Sequence, residues 1–108
     1  MADTLHSVQG VLGTGSTAIL DAVASSTTET VIGLTLSNIS GSSADVTVDL
    51  SITKSGGSLR KVLNDVSLPF GTTITMSTKM VLETGDTMQG LASSASSVDF
   101  NLAYLKQT

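Results

Sequence analysis

A strict alternation of apolar and polar side chains is the sequence feature that most restricts the fold of this chain. In the segment 44–53, every second residue is a branched aliphatic one: Val46, Val48, Leu50 and Ile52. Because successive side chains of a β-strand point to opposite faces, this pattern predicts a strand with one buried and one solvated face. Asp45, Thr47 and Asp49 are therefore expected on the solvated side or at a subunit contact, and the two aspartates are interpreted as solubilising charges.

Strand patterns recur along the chain, separated by turns rich in Gly, Ser, Thr and Asp. The predicted strands are residues 5–12, 17–23, 30–39, 44–53, 59–68, 73–76, 87–91 and 98–105, of which 87–91 is a weak candidate. Residues 80–82 begin a further short apolar run. No window of about 11 residues sustains helical apolar spacing without an interrupting glycine or Ser/Thr cluster, so we expect essentially no long helix. The predicted fold class is all-β: a single antiparallel β-sandwich or jelly roll of about seven to eight short strands.

Three features give sharper structural expectations. The strands 30–39 and 44–53 are predicted to form an antiparallel pair, because the serines and glycine of residues 40–43 favour a turn. Pro69 cannot donate a backbone hydrogen bond, which restricts the strand 59–68 to a sheet edge or places the proline at its end. The apolar sides of the strands predict one shared core, formed by Ile32, Leu34, Leu36, Val46, Val48, Leu50, Phe100 and Leu102.

The first part of the chain has a looser pattern than the rest. With 108 residues there is room for one hydrophobic core. We divide the chain into residues 1–28, an amino-terminal arm or edge strands, and residues 29–108, the β-sandwich domain. The segment 2–15 is interrupted by Gly, Ser and Thr, yet it carries Leu5, Val8, Val11 and Leu12. Two alternatives stay open: an arm that lies along a partner, or the first edge strand of the chain's own sheet.

Charge and composition exclude several classes of protein. Charged residues make up 13% of the chain, which is about half the usual share. Five basic residues and a net charge of −4 argue against nucleic-acid binding, which depends on clustered Lys and Arg. The absence of cysteine excludes a disulfide framework and a thiolate metal site. No apolar run approaches the roughly 18 residues of a membrane span and no signal peptide is evident, so we expect a soluble, cytoplasmic protein without membrane partners.

No set of side chains has the spacing of a catalytic or ligand-binding site. His6 is the only histidine, so it has no second imidazole with which to bind a metal, and we expect it at the surface or at a sheet edge. Glu83 and Asp86 flank a turn, but two carboxylates fall short of the roughly six to eight oxygens that Ca²⁺ takes. The glycine spacing of residues 10–15 reverses the dinucleotide-binding fingerprint and is expected to shape a turn. We therefore predict no catalytic residue, no cofactor and no metal, and a protein that is not an enzyme.

The low charge content indicates assembly. Much of the surface must be hydroxylated or apolar, and open sheet edges need cover, so we expect a homo-oligomer or docking onto a larger partner. Arg60 and Lys61 form the one adjacent basic pair and, with Lys54, either meet an acidic partner or line a solvated loop. The candidate assembly contacts are Leu5, Val8, Val11, Leu12, Arg60 and Lys61.

Four segments carry a resemblance to a known group of proteins: the apolar strand ending in asparagine at 31–38, the V-T-V strand at 44–48, the L-E-T-G-D turn within 81–87, and the aromatic strand at 98–105. In these segments the chain resembles small virion proteins of tailed bacteriophages with a β-sandwich or jelly-roll fold. The resemblance implies a repeated structural subunit of the virion, commonly a trimer, which is assembled in the host cytoplasm and contacts the major capsid protein or other virion proteins. Foremost, it implies a capsid decoration, or cement, protein on the outer capsid lattice, where many weak contacts add up.

Two alternative roles stay open under the same resemblance. One is a structural component of the neck or tail, and the other is a carbohydrate-binding or adaptor module of a tail fibre. A sugar-binding module is expected to expose aromatic side chains for stacking. The chain has two Phe, one Tyr and no Trp, and we expect Phe100 and Tyr104 in the core, which weakens the carbohydrate-binding alternative.

Overall fold

Strands account for the regular secondary structure in the computed structural model, which describes residues 3–40 and 44–108. They are β1 (Asp3–Val11), β2 (Thr17–Leu20), β3 (Thr28–Asn38), β4 (Val46–Thr53), β5 (Leu59–Leu68), β6 (Thr73–Met76), β7 (Met80–Leu82), β8 (Thr87–Ala92) and β9 (Val98–Gln107). The predicted all-β sandwich fold is confirmed. The described strands number nine, above the predicted seven to eight, because each of the short segments β6, β7 and β8 is hydrogen-bonded into a sheet. Within the same residues there is no helix long and apolar enough to span a membrane.

The strands form two antiparallel sheets. The large sheet has the strand order β1-β9-β3-β6, with β7 pairing another part of β3. The small sheet has the order β2-β8-β4-β5. Pro69 directly follows the last residue of β5, an edge strand of the small sheet, which confirms the restriction predicted from this proline.

The predicted pairing of the segments 30–39 and 44–53 is wrong. β3 pairs with β9, β6 and β7 in the large sheet, whereas β4 pairs with β5 and β8 in the small sheet. Alternation shows that a strand has a buried face, but two buried faces can meet by stacking across a core as well as by lying in one sheet. Of the turn predicted at residues 40–43, residues 41–43 lie outside the described part of the chain.

Asn38 joins the end of β3 to the neighbouring sheet. Its Nδ2 donates to the carbonyl oxygens of Ala44 and Leu68, each at 2.9 Å. Its Oδ1 accepts the N–H of Ser40 at 2.9 Å. These bonds occupy both polar atoms of a buried amide, which explains why an otherwise apolar strand ends in asparagine.

The core between the sheets contains seven of the eight residues predicted for it: Leu34, Leu36, Val46, Val48, Leu50, Phe100 and Leu102. Ile32 is the exception, since it is 39% exposed. A β-bulge between Val31 and Gly33 shifts the register of β3 against β9, and the strand buries Val31 in place of Ile32. The extra residue of a bulge reverses the alternation of faces, which a simple two-residue pattern does not reveal.

Asp49 points away from the core, as predicted, but it is buried, so its expected role as a solubilising charge is wrong. Its Oδ1 accepts the backbone N–H of Asp65, and its Oδ2 accepts a hydrogen bond from Lys61 Nζ at 3.1 Å. Both donors come from β5, whose irregular register against β4 brings them over the carboxylate. The N–H of Asp65 above all, together with Lys61, outweighs the effect of burial and holds the pKa of Asp49 below its ordinary value of 3.8. Asp45 is exposed and Thr47 half-buried, in agreement with the prediction.

Gly10 lies within β1, not in the turn expected from the glycine spacing. It is opposite Phe100 of β9, and a Cβ at this position would lie 2.8 Å from the phenyl ring. The missing side chain therefore leaves room for the buried ring of Phe100 to extend across β1. Gly13 and Gly15 lie in the connection from β1 to β2, as predicted.

Candidate assembly surface

β1 forms a long sheet edge that lacks the features by which edges usually avoid pairing with another chain. Its nine residues pair with β9 in unbroken register, from Asp3 opposite Gln107 to Val11 opposite Asp99. The strand contains no Lys and no Pro, and Asp3 and His6 are its titratable residues. Natural sheets usually protect an edge with lysine, proline, a bulge or a very short strand. The free side of β1 is therefore open to a further strand.

The other sheet edges in the described residues are blocked in one of these ways. β5 carries Arg60 and Lys61 and has register shifts against β4. β2 has four residues and a shift in its register against β8. β6 and β7, which share one edge of the large sheet, have four and three residues. A strand added to any of these edges would pair over a short or irregular stretch.

Of the apolar residues predicted as assembly contacts, Leu5 and Val11 have free surface. They are 75% and 47% exposed and lie on the side of β1 that faces away from the core. Val8 points to the opposite side and packs against the core, half-buried. Leu12 is fully buried, because the chain turns inward after β1, so it offers no surface to a partner in this fold. Of these four apolar residues, Leu5 and Val11 therefore offer the most side-chain surface to a partner.

We use the term outer face for the surface of the large sheet that points away from the core. An apolar row crosses it: Leu5 is opposite Leu105, Leu105 is opposite Thr30, and Thr30 is opposite Val81. Val81 is 53% exposed. An apolar hollow of about 330 Å³ on this face is lined in part by Ile32, the residue that the bulge turns outward. Sequence reasoning missed Leu105, Val81 and Ile32 as surface residues, because register and the bulge decide which way they face.

The rest of the outer face carries hydroxyl and amide groups. Besides Thr30, which interrupts the apolar row, the polar strand residues of the outer face are Ser7, Gln9, Thr28, Thr35, Ser37, Thr73, Thr75, Asn101 and Gln107. The charged strand residues on this face are Asp3 and Asp99, at opposite ends of the β1–β9 pair. Burying this face against another surface would therefore remove few charges from water, and charges are the groups most costly to desolvate.

A groove of about 610 Å³ with a mixed polar and apolar lining also lies on the outer face. Its lining includes Gln9, Val11, Thr35, Ile39, Asp99 and Asn101. The aromatic residue beside it, Phe100, is buried and belongs to the core. The groove thus has hydrogen-bonding groups but no exposed ring on which a sugar could stack.

The basic cluster considered for Lys54, Arg60 and Lys61 does not form. Lys61 Nζ lies 3.1 Å from Asp49 Oδ2, and Lys54 is paired with Asp86. The two lysines are therefore neutralised separately. Arg60 is exposed on β5 and has no salt bridge within the described residues. Of these three cations, an acidic partner would therefore meet one that is unpaired.

Asp86 is a buried turn carboxylate. Its Oδ1 accepts the N–H of Ser55 at 2.9 Å, and its Oδ2 accepts the N–H of Glu83 at 2.8 Å and a hydrogen bond from Lys54. Burial would raise the pKa of Asp86, but these hydrogen bonds, first that from Lys54, outweigh it and hold the pKa below its ordinary value of 3.8. Gly85 has a φ of 87°, and a Cβ there would come within 2.7 Å of Ser55 Cβ. The L-E-T-G-D turn is thus a structural junction, and no group of three potential metal ligands occurs in the described residues.

A small group of titratable side chains lies where β1 begins, on the inward side of the large sheet. His6, exposed on an edge strand as predicted, stacks on Tyr104 with ring centroids 5.3 Å apart. Glu29 is 8% exposed, and its Oε1 has no hydrogen-bond partner among the described residues. Burial raises the pKa of Glu29 above its ordinary value of 4.5, although Lys106 and His6 act in the opposite direction. This carboxyl group is therefore destabilised in its charged form.

No protein-family model and no curated protein matches this sequence. Solved structures do share its fold. A protein of the disulfide-linked pili that form Bacillus endospore appendages has a TM-score of 0.57 at 12% identity, covering 99% of this chain and 87% of that one. A protein of the acid-stable capsid of Helicobacter pylori bacteriophage KHP30 has a TM-score of 0.52 at 12% identity, covering 98% of this chain and 87% of that one.

A third likeness is to the infectious bursal disease virus VP2 subviral particle, with a TM-score of 0.56 at 12% identity. The match covers 96% of this chain but 32% of the viral one, so this chain spans about a third of that protein. At such low identity the likeness is one of fold: the chain has a β-sandwich of the kind found in a pilus protein, a phage capsid protein and a viral particle protein.

Proposed function

We propose that this protein is a non-enzymatic structural subunit of a bacteriophage virion, and that it acts as a capsid decoration protein that docks on the outer capsid lattice. The observation that carries the proposal is the outer face of the large sheet, which combines an apolar row with hydroxyl groups and has no cation among its described strand residues. Removing exposed apolar side chains from water is favourable, so such a face gains from contact with another protein. The resemblance to tailed-phage virion proteins and the sandwich fold shared with a phage capsid protein support the viral setting.

The size of the apolar row suits a repeated subunit. Leu5, Ile32 and Val81 are large apolar side chains exposed on the outer face, each on a different strand. A contact built on a few such side chains is weak in one copy. It becomes strong when many copies bind one lattice, because linked contacts add through multivalency.

The alternative roles have less support in the structure. A carbohydrate-binding module of a tail fibre is disfavoured by the groove of the outer face, which lacks an exposed aromatic ring; Phe70, which is 47% exposed, lies outside this groove. A neck or tail component would use the same outer face, and no observation favours that location over the capsid. A disulfide-linked assembly like that of the endospore pili is excluded for this chain, which has no cysteine.

The partners in this proposal are further copies of the chain and the major capsid protein or another virion protein. The homo-oligomer implied by the resemblance is a trimer. In this proposal residues 1–28 supply the assembly strand β1 and the edge strand β2, and residues 29–108 supply the rest of the sandwich. β1 offers its free edge and the side chains of Leu5 and Val11, while the buried Leu12 fixes the segment to the core.

Binding to capsids tests the proposal. Purified protein is added to capsids of the phage that encodes it, prepared without this protein, and bound protein is measured by co-sedimentation and placed by cryo-EM. We expect Leu5→Ser combined with Val81→Ser to weaken binding about tenfold, which equals about 1.4 kcal/mol. Leu59→Ser is the matched control, because Leu59 is similarly exposed but lies on the small sheet.

Two outcomes would contradict the proposal in different ways. Density for the protein in the neck or tail alone would overturn the decoration role and keep the virion role. A protein that is absent from complete particles and does not bind capsids would overturn both.

A further inference from the structure

We propose that the free edge of β1 binds β1 of a second copy of this chain in antiparallel orientation, so that two large sheets join into one continuous sheet across a two-fold axis. This inference rests on the homo-oligomer part of the proposed function and specifies its contact, but it requires no capsid. It starts from the contrast between β1 and the other described edges, which are short, charged or irregular.

The length of β1 favours its own copy as the partner. Two antiparallel β1 strands can pair over all nine residues when Ser7 lies opposite Ser7 of the second copy. The opposite edge of the large sheet is divided between β6 and β7, of four and three residues, so it can offer β1 a much shorter ladder. Because main-chain hydrogen bonds supply much of the affinity in strand addition, the longer ladder is preferred.

The side chains of β1 are compatible with this register. Leu5 then lies opposite Gln9 of the second copy, Asp3 opposite Val11 and His6 opposite Val8. No charged residue faces another, so the pair avoids the like-charge repulsion that destabilises directly opposed positions. Leu5, which is 75% exposed in one copy, acquires a cross-strand neighbour.

The faces of the two sheets also match. In this register each residue lies opposite a position an even number of residues away, so outward side chains remain on one side of the joined sheet. The two outer faces therefore form one surface, and the apolar rows of both copies are presented in the same direction. A docking surface of twice the size results without any change of fold.

The symmetry of the contact determines how the molar mass changes when the contact is broken. An isologous contact joins subunits in pairs, so it converts a monomer into a dimer, or links two trimers that are held by another contact. Breaking it should halve the molar mass of the purified protein in either case. Sedimentation equilibrium of the full chain over a range of concentrations measures that mass without a capsid.

Ser7→Lys tests the contact directly, because it places two ammonium groups opposite each other at the two-fold axis. Ser7 is exposed in the single subunit, so the fold should be retained, as judged by circular dichroism and Tm. Ser67→Lys is the matched control, since Ser67 is also an exposed serine on an edge strand, β5. We expect Ser7→Lys to halve the mass and Ser67→Lys to leave it unchanged.

A charge-swap experiment distinguishes the two-fold pair from general repulsion. Ser7→Glu should also halve the mass by itself. An equimolar mixture of the Ser7→Lys and Ser7→Glu variants should recover the full mass, because opposite charges then face each other. The proposal is overturned if the parent protein is monomeric at all concentrations or if Ser7→Lys does not reduce its molar mass. It is also overturned if the Ser67→Lys control reduces the molar mass equally, or if the mixture of the two Ser7 variants does not restore the mass of the parent. If the protein passes all these tests but does not bind capsids, the proposed function is contradicted and the pairing of β1 is not.

Discussion

The backbone N–H of Ser55 and the Oδ1 of Asp86 are hydrogen-bonded at 2.9 Å, although 31 residues separate them in the chain. Ser55 lies in the turn between β4 and β5, and Asp86 directly precedes β8, which pairs with β4 in the same small sheet. The other oxygen of Asp86, Oδ2, accepts the N–H of Glu83, which directly follows β7 of the large sheet. One buried carboxylate thus ties the β4–β5 turn to the connection that runs from the large sheet to the small one. Its hydrogen bonds give the aspartate of this turn a structural role.

We expect Asp86→Asn to lower the free energy of unfolding by about 3 kcal/mol. An amide nitrogen in place of one carboxylate oxygen would face a hydrogen-bond donor, either the N–H of Glu83 or that of Ser55, and bonds to charged acceptors are among the strong ones. Urea unfolding at neutral pH measures the change. Asp45→Asn is the matched control, because Asp45 is exposed and accepts the single N–H of Phe70, and it should cost less than about 1 kcal/mol. Equal losses for the two variants would contradict the buried junction.

Glu29→Gln is expected to raise the Tm at neutral pH. Burial raises the pKa of Glu29 above 4.5, so the folded protein holds this proton more tightly than the unfolded chain and loses stability as the pH rises from 4.5 through the raised value. Glutamine carries no charge and avoids this loss. The two proteins should therefore have similar Tm values below about pH 4 and diverge above it.

Glu83→Gln serves as the control for this pH dependence, because the Glu83 side chain is largely exposed. Thermal melts of all three proteins across the acid to neutral range give the comparison. If the Glu29→Gln variant is less stable than the parent at pH 7, the charged form of Glu29 is stabilised in the fold, contrary to this account.

The bulge in β3 predicts that alanine substitutions at two adjacent residues lower the stability by different amounts. Val31→Ala should lower the free energy of unfolding by about 2 kcal/mol, since it removes buried methyl groups and leaves a cavity. Ile32→Ala should cost less than about 1 kcal/mol, because Ile32 faces solvent. Denaturant unfolding compares them, and the reverse order would mean that β3 has no bulge at this position.

Deleting residues 2–12 separates the two alternatives for the amino-terminal segment. We expect the deletion to unfold the domain or lower its Tm strongly, because β1 covers the edge of β9 along nine residue pairs and Leu12 is buried in the core. Circular dichroism and sedimentation equilibrium are the measurements. A truncated protein that folds normally but no longer associates would instead identify the segment as an arm.

The positions of the strands could be predicted from sequence because alternation and turn residues are local signals. Pro69 likewise restricted β5 to a sheet edge or placed the proline at the strand's end, since its missing N–H acts at one position, and both hold. The pairing of β3 with β9 was not predictable in the same way, because the pattern of one strand does not specify its neighbour. The outward turn of Ile32 depends on an extra residue in the β3–β9 ladder, and the burial of Asp49 depends on donors from β5.

The candidate surface was predicted in part for similar reasons. Leu5 and Val11 lie on one side of an alternating segment, so their exposure follows if the other side is buried. Val81 and Leu105 join Leu5 through the register of three separate strand pairs. Their common row exists only in the assembled sheet, and no local stretch of sequence contains it.

The position of β9 has a consequence for how the protein is made. This strand is the last of the described strands in sequence, yet it lies between β1 and β3, near the middle of the large sheet. On a ribosome, β1 and β3 therefore emerge long before the strand that joins them, and pairing of such distant segments is slow. The large sheet can close only after residues 98–107 have left the exit tunnel. Until then β1 has no partner on either side, so subunits that are still being synthesised are the most exposed to premature strand pairing, and correct assembly must follow the emergence of β9.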